Sequence, residues 1–578
     1  MKPDLALRAI LTVAGALAGL SAWLIAEQLP MMIDNIRGLM VLGVFAGLLF
    51  AVFMVATGPL RPMAALIAAL AVAVPSTLLF LLASFRYRDP GTYLEAGLPI
   101  VALLFGAGIG VPFVITALAR RGNWSDYATL FTEAWYIFTR TTAAMVFMGL
   151  VWAVILLSDQ MMQLVGLNFV EDILEIDAVP AVITGAALGI ALAVVHELSA
   201  YVTPYLILRL LRLLLPLVLA VSTVFVVAMP FRGLSELNSF FGSLSAGFVL
   251  MSMAFGGLTL VTVAIDQRDE DAVSPGWMQW ATKALAVLSP VLAGLAVWSV
   301  SLRVGQYGWT PHRLAAMTAA VVLLGYGLGY VVAVVRGNDW MHRIRRANVW
   351  MALVTLVIAA LWLTPLFNAE RISVASQMAR LESGKVSVES FDLWSVGREW
   401  GRAGEAAVER LKAMNLPEQE KLTERISRME KALYRYEFES TEPVTPLEPV
   451  DVAALLARIP VLPAGSQLPQ QIAAVEDMLR RVENACARQT LSGLAACVVV
   501  QADFLTAKSG DEWIALFDEY GGGASVVLLW VEAGLVQYRE LPYQSAETLD
   551  RVAKGEFTVA APDIQVLESG GQTILPQE

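Results

Sequence analysis

Residues 348–385 read NVWMALVTLVIAALWLTPLFNAERISVASQMARLESGK. From Val349 to Leu366 there is no charge, and then Glu370, Arg371, Arg380, Glu382 and Lys385 follow in quick succession. A helix crosses a bilayer with ~20 apolar residues, because hydrocarbon cannot satisfy the backbone N–H and C=O groups that a helix pairs internally. This stretch therefore closes a membrane block and opens a water-facing tail of 212 residues.

Upstream of it the same signal recurs ten times. The predicted spans are 7–26, 37–56, 62–84, 97–118, 138–157, 178–196, 210–229, 243–265, 280–301, 314–335 and 348–366. The sixth is the least regular, since Asp177 and the pair His196 and Glu197 crowd its ends, and a re-entrant helix is the alternative there. Composition agrees: 57% hydrophobic residues and 16% charged lie outside the soluble balance. This excludes a disordered or nucleic-acid-binding chain. The net charge of −11 belongs to the tail, where 32 Asp and Glu face 20 Lys and Arg over 367–578. The expected fold is an all-α polytopic transmembrane bundle of about 11 helices followed by a C-terminal soluble α+β domain. The expected divisions are a bundle at 1–366, a helical juxtamembrane segment at 367–440, a Pro-rich linker at 441–469 and the small domain at 470–578.

Positively charged short loops stay in the cytoplasm. With the N-terminus inside, fourteen Lys and Arg fall in cytoplasmic segments (Arg61, Arg120, Arg121 and Arg336 among them) against six outside (Arg37, Arg86, Arg88, Arg232, Arg303 and Arg313). An odd number of crossings then delivers the tail to the exterior, the periplasm of a bacterium with two membranes. The first span is read as a retained anchor, because no small-residue cleavage site follows at Gln28, Leu29 and Pro30. Cys486 and Cys497 are the two cysteines of the chain and both lie in that tail, which makes them a candidate disulfide between the end of a helix at 470–488 and the start of a strand at 496–504. Buried reduced thiols are the alternative. Neither CxxC spacing nor a His cluster accompanies them, so a metal site and redox catalysis are not expected.

Within the spans, small residues recur four apart: Gly15 and Gly19, Gly43 and Gly47, Gly106 and Gly110, Gly185 and Gly189, Gly325 and Gly329. Such pairs let helix backbones approach where no hydrophobic drive exists, and packing within one subunit is their ordinary use. Few charges fall inside spans; Arg140, Arg209, Arg212 and Lys283 sit near span ends, where long side chains snorkel, and Asp266 closes the eighth span. This disfavours a proton pump with a carboxylate relay. His196 and Glu197 do not extend to HExxH, because Ala200 stands four residues after His196. The strongest basic patch, Arg336, Arg343, Arg345 and Arg346 with Trp340 and Trp350, suits an anionic membrane surface and also simply sets topology.

Between spans nine and ten lies Arg303-Val-Gly-Gln-Tyr307-Gly308-Trp309-Thr310-Pro311-His312-Arg313. Thr310 is placed as N-cap and Pro311 in the first turn of the next helix, while Arg303 and Arg313 are candidates for gripping an anion. Tyr307, Gly308, Thr310 and Arg313 spell Tyr-Gly-x-Thr-x-x-Arg, and Phe391-Asp-Leu-Trp and Trp400-Gly-Arg-Ala-Gly follow the last span. On these residues the chain resembles the bacterial multi-pass membrane proteins of domain of unknown function 4153 and the related 4173 group, over most of 1–415. The resemblance implies a bacterial inner-membrane location and carries no reaction with it.

In the tail, helices are expected at 370–381, 403–414, 417–436 and 470–488, and strands at 496–504, 524–531, 535–540 and near 557–567, with a hairpin turning at Gly534. The tail has no His, so Ser-His or Cys-His chemistry cannot be assembled in it. Asp503, Asp511, Glu512, Asp518 and Glu519 are near neighbours in an acidic segment, and Gly521–Gly523 lacks the spacing of a phosphate loop. No catalytic residues and no cofactor are assigned. The expected function is a non-enzymatic envelope binding or interaction protein. Its partners are the bilayer and, through 367–578, an envelope protein or cell-wall ligand; nucleic acid is excluded. The alternative is a transporter or lipid-handling protein with an anionic substrate. A membrane transferase using carboxylates of the 158–177 or 266–271 loops is a distant third.

Overall fold

The structure is a computed structural model. It describes residues 3–33, 35–119, 123–198, 204–232, 246–274, 276–414, 418–432, 434–439, 459–463, 465–466, 468, 481–482, 485–490, 492–504, 512–518, 523–532, 535–559, 567–569 and 572–574. The chain forms two compact units, Met1–Phe438 and Glu439–Glu578.

In the first unit eleven helices among the described residues are long and apolar enough to cross a membrane. They are α1 (Pro3–Trp23, continued by a π-helical turn at Leu24–Gln28), α2 (Ile36–Ala56), α3 (Pro62–Ser84), α4 (Leu98–Ala119), α5 (Tyr127–Leu164), α6 (Ala178–Glu197), α7 (Pro204–Arg232), α8 (Ala246–Ile265), α9 (Gly276–Tyr307), α10 (Pro311–Val335) and α11 (Trp340–Trp362). Their starts are chemically marked. Asn35 accepts from Gly38 N at 3.0 Å, Asp126 from Thr129 N at 3.2 Å and Thr310 from Arg313 N at 3.3 Å, each satisfying a free N–H of the first turn.

The irregular sixth span is a full 20-residue helix that lies antiparallel along α1. Gly15 and Gly19 meet Gly185 and Ala181, and Gly189 meets Leu11, with backbones so close that a Cβ on any of the four GxxxG glycines Gly15, Gly19, Gly185 or Gly189 would run into a carbonyl of the partner helix. At one end of this pair Arg8 holds Glu197, Nε to Oε1 at 2.9 Å. The other GxxxG pairs approach side chains or open space instead: Gly325 meets Met351, Gly106 meets Ala359 at ordinary contact distance, and Gly47 has nothing within 4 Å.

Polar contacts sort the helix ends into two sets. One set joins Arg8 with Glu197, Arg140 with Val55 and Thr57, Arg212 with Asp266, Arg345 with Ile265 to Asp269, and Asn348 with Tyr127. The other joins Arg37 with Tyr87 and Arg88, and Arg86 with Trp362 and Glu370. The N-terminus belongs to the first set and the chain after α11 to the second. The spans therefore alternate, and the two ends of this unit lie on opposite faces of the bundle.

Residues 367–438 belong to the same compact unit. Helices α12 (Ala369–Glu382), α13 (Gly401–Ala413) and α14 (Gln419–Lys431) pack with a π-helical turn at Ser395–Glu399. Their core is Val374, Met378, Leu381, Phe391, Leu393, Trp394, Val396, Trp400, Val408, Leu411, Leu422, Ile426, Met429 and Phe438. The helices of this segment thus form a folded cap on the bundle.

The second unit is built on a five-stranded sheet of β1 (Val461–Leu462), β2 (Cys497–Ala502), β3 (Glu512–Phe517), β4 (Gly523–Glu532) and β5 (Leu535–Ser545), in that spatial order. Apart from the parallel β1 and β2, neighbours are antiparallel. Cys497, Val499, Ala515, Phe517, Val527 and Leu529 fill one face, and Val498, Leu516, Val526 and Leu549 of α15 (Ala546–Ala553) the other. The hairpin expected at 524–540 is present and longer. Strand β3 and helix α15 were not expected: Glu512 is buried and accepts from Phe504 N at 2.8 Å, so an acidic residue opens a strand that reads as a loop. The last strands, β6 (Leu567–Ser569) and β7 (Gln572–Ile574), start at the end of the expected 557–567 and run past it, and residues 560–566 lie outside the described residues. Gly521, Gly534, Asp511, Glu519 and most of the Pro-rich linker and of the 470–488 helix lie outside the described residues, as do Arg120, Arg121 and Ala200.

Candidate functional site

Every C-terminal turn of a helix exposes carbonyls without N–H partners and carries the negative end of the helix dipole. Among the described residues the buried arginines Arg86, Arg140 and Arg345, and the partly buried Arg212, serve such turns. Arg140, 3% exposed, donates to Val55 and Thr57 at the end of α2. Arg212 donates to Val263 O at 3.1 Å and pairs with Asp266 beyond α8; Arg345 donates to Ile265 and Asp266 and reaches Asp269 Oδ1 at 2.6 Å. Snorkelling, expected for Arg140, does not occur: α5 begins eleven residues before its expected start, so Arg140 sits well inside the helix. Arg345 likewise does not join the surface patch. It is 7% exposed, whereas Arg336 and Arg346 are exposed and Arg343 is half-buried.

At the opposite end the same device builds an extended polar site. Helix α9 stops at Tyr307, Gly308 turns the chain at φ +77°, and Thr310 caps α10. Arg313 folds back over the Tyr307 ring, 5.4 Å from its centroid, and donates to Tyr307 O at 3.3 Å and Gly308 O at 2.8 Å. Helix α12 supplies the rest. Gln377 donates to Tyr307 O at 2.9 Å and Trp309 O at 3.0 Å, Ser376 Oγ accepts from Trp309 N at 3.0 Å, and Arg380 reaches Gly305 O and Gln306 O. Arg303 is exposed on the last turns of α9.

The same helix carries a second anchor. Arg86, just after α3, donates to Trp362 O at 2.7 Å, the last carbonyl of α11, and to Thr364 O just beyond it, and pairs with Glu370 Oε2 at 3.4 Å. Tyr87 donates to Glu370 Oε1 at 3.1 Å. Burial, ahead of the Glu370 charge, pushes the Tyr87 hydroxyl well above the usual phenol range, so it stays a donor. Gly401 of the cap packs on Arg86 and Tyr87, and Arg402 N donates to Arg86 O at 2.9 Å.

Of the residues singled out from sequence, Tyr307, Gly308, Thr310 and Arg313 thus come together, and Arg303 stands beside them. Arg336, Arg343 and Arg346 lie at the other end, and Cys486 and Cys497 are bonded in the second unit with Cα atoms 4.9 Å apart. Sequence reading missed Glu370, Ser373, Gln377 and Arg380. They recur at three- and four-residue spacing along α12, a polar stripe that reads as a solvated face. The first three are buried, because that stripe meets bundle loops while Val374, Met378 and Leu381 of the same helix fill the cap core.

Gly308 gives a direct check. A Cβ there would lie 2.7 Å from Arg380 Cδ and 2.8 Å from Gln377 Nε2, at a φ that L side chains rarely adopt. Gly308→Ala is therefore expected to cost about 1–3 kcal/mol, visible as a lower melting temperature of the purified chain and faster protease cleavage around Gly384.

What this arrangement does chemically is lock one helix across two span termini; it assembles no nucleophile, base or metal ligands among the described residues. No curated protein and no solved structure matches the chain. The model of one family, Domain of unknown function (DUF4153), matches residues 43–403, from α2 through the first turn of α13 and including both anchors of α12. The chain belongs to that family of DUF4153 proteins, and the matched region takes in α12 with both of its anchors.

Proposed function

We propose that this is a non-enzymatic envelope protein of the bacterial inner membrane, whose bundle anchors a rigid cap and holds out a C-terminal binding module on the periplasmic face. The observation that carries the reading is the double lock of α12, Arg86 and Tyr87 on Glu370 and Gln377 and Arg380 on the 305–309 turn, which makes the cap a continuation of the membrane body. The uneven spread of Lys and Arg supports placing the N-terminal end in the cytoplasm. The cystine in the second unit suits an oxidising compartment. The module offers an edge strand, β5, with Tyr538 and Tyr543 exposed, a surface suited to a protein or cell-wall partner.

Photo-crosslinking in cells from Tyr538 in the full-length chain tests it. A defined envelope component captured at Tyr538 and absent at Arg336 is expected. Capture of nothing, together with rescue of a deletion phenotype by residues 1–438 alone, sinks the reading.

A further inference from the structure

The arginines of the bundle differ in what neutralises them, and not simply by end, since Arg86 at the capped end pairs with Glu370 while Arg140 at the other end meets carbonyls. At the N-terminal end Arg8, Arg212 and Arg345 each meet a carboxylate: Glu197, Asp266 and Asp269. At the capped end Arg303, Arg313 and Arg380 meet none among the described residues, and the charges of Arg303 and Arg380 both act on Arg313. The carbonyls that Arg313 and Arg380 cap offset only about half a charge, the size of a helix dipole end. Arg303 makes no hydrogen bond among the described residues, and Arg313 uses only one terminal nitrogen on the carbonyls of its turn.

Their level fits a ligand with a charged head and an apolar body. Helix α9 has 32 residues, about 48 Å at 1.5 Å per residue, against ~30 Å of hydrocarbon; its last turns therefore stand in the headgroup layer. Arg303 lies one turn below Tyr307 on the same helix face. Tyr307, 55% exposed, shares the Arg303 face, while Leu302 and Trp298, 44% and 59% exposed, lie about 100–140° round the helix from Arg303, on an apolar face that continues towards the bilayer.

We propose that Arg303, Arg313 and Arg380 bind the phosphodiester of an anionic lipid, with its acyl chains along Trp298 and Leu302. Guanidinium forks match phosphate oxygens geometrically, and the carbonyl caps hold two of the three arginines in place before the lipid arrives. The site does not depend on which leaflet it faces, so it stands apart from the orientation in the proposed function.

Native mass spectrometry of the full-length chain in mild detergent, with added phosphatidylglycerol, phosphatidylcholine or inorganic phosphate, tests it. Phosphatidylglycerol should be retained several-fold over phosphatidylcholine. Arg303→Gln, which breaks no hydrogen bond among the described residues, should lower that retention about fivefold, while Arg303→Lys keeps most of it and Arg336→Gln at the other end changes nothing. Equal retention of the two lipids, no effect of Arg303→Gln, or an equal effect of Arg336→Gln overturns the site. Inorganic phosphate displacing the lipid at equal concentration overturns the lipid assignment in favour of free phosphate.

Discussion

Arg86→Met is expected to release the cap from the membrane bundle. Arg86 and Glu370 have side chains 5% and 6% exposed, and the substitution leaves the Glu370 carboxylate buried with Tyr87 alone and the carbonyls of Trp362 and Thr364 uncapped. Removing one partner of a buried ion pair costs about 3–5 kcal/mol, because the survivor keeps its desolvation penalty and loses its compensation. The melting temperature should fall, and protease should cut at 383–385 in folded bundles. The double variant Arg86→Met with Glu370→Met should recover much of the loss, since replacing both ions of a buried pair by apolar groups is often close to neutral. A double variant as damaged as the sum of the single ones would show that Arg86 and Glu370 do not act as a pair.

The second large effect is expected where α1 crosses α6. Gly185→Leu drives a side chain into the carbonyl of Gly15 and must push two backbones apart, which also separates Arg8 from Glu197. Overpacking a close contact costs about 1–3 kcal/mol and more where backbone cannot yield. Protein level in the membrane should drop sharply, and Gly185→Ala should fall between that variant and the native chain. Gly47→Ala is the control, because that glycine faces open space. If Gly47→Ala and Gly185→Ala destabilise equally, the α1 and α6 contact is not a backbone contact.

The bundle was legible in the sequence because hydrocarbon imposes one rule on every span, and that rule is written in local composition. Thr310 as a cap and the β4 and β5 hairpin were legible for the same reason, since each depends on neighbours in the chain. The site itself was half legible. Tyr307 to Arg313 stood out as a turn, but its partners sit some seventy residues away on α12, and Arg86 and Glu370 are 284 residues apart. Polar residues spaced 370, 373, 377 and 380 suggest water to a periodicity argument, which is blind to a neighbour that presents bare carbonyls instead of side chains. Arg140 was misplaced for another reason: the expected span opens at 138, so the arginine reads as a snorkelling end residue, whereas the helix starts at Tyr127 and the side chain serves the open end of α2.

The most direct test of the account is the side on which the cap lies. In a background with Cys486 and Cys497 replaced by alanine, Lys385→Cys and Arg336→Cys place single thiols on exposed residues at opposite ends of the bundle. With a membrane-impermeant maleimide, the thiol at 385 should label in intact cells with permeable outer membranes, and that at 336 only after lysis of the inner membrane. Labelling of 336 alone in intact cells, or of both positions alike, contradicts an eleven-span bundle that carries its cap outside.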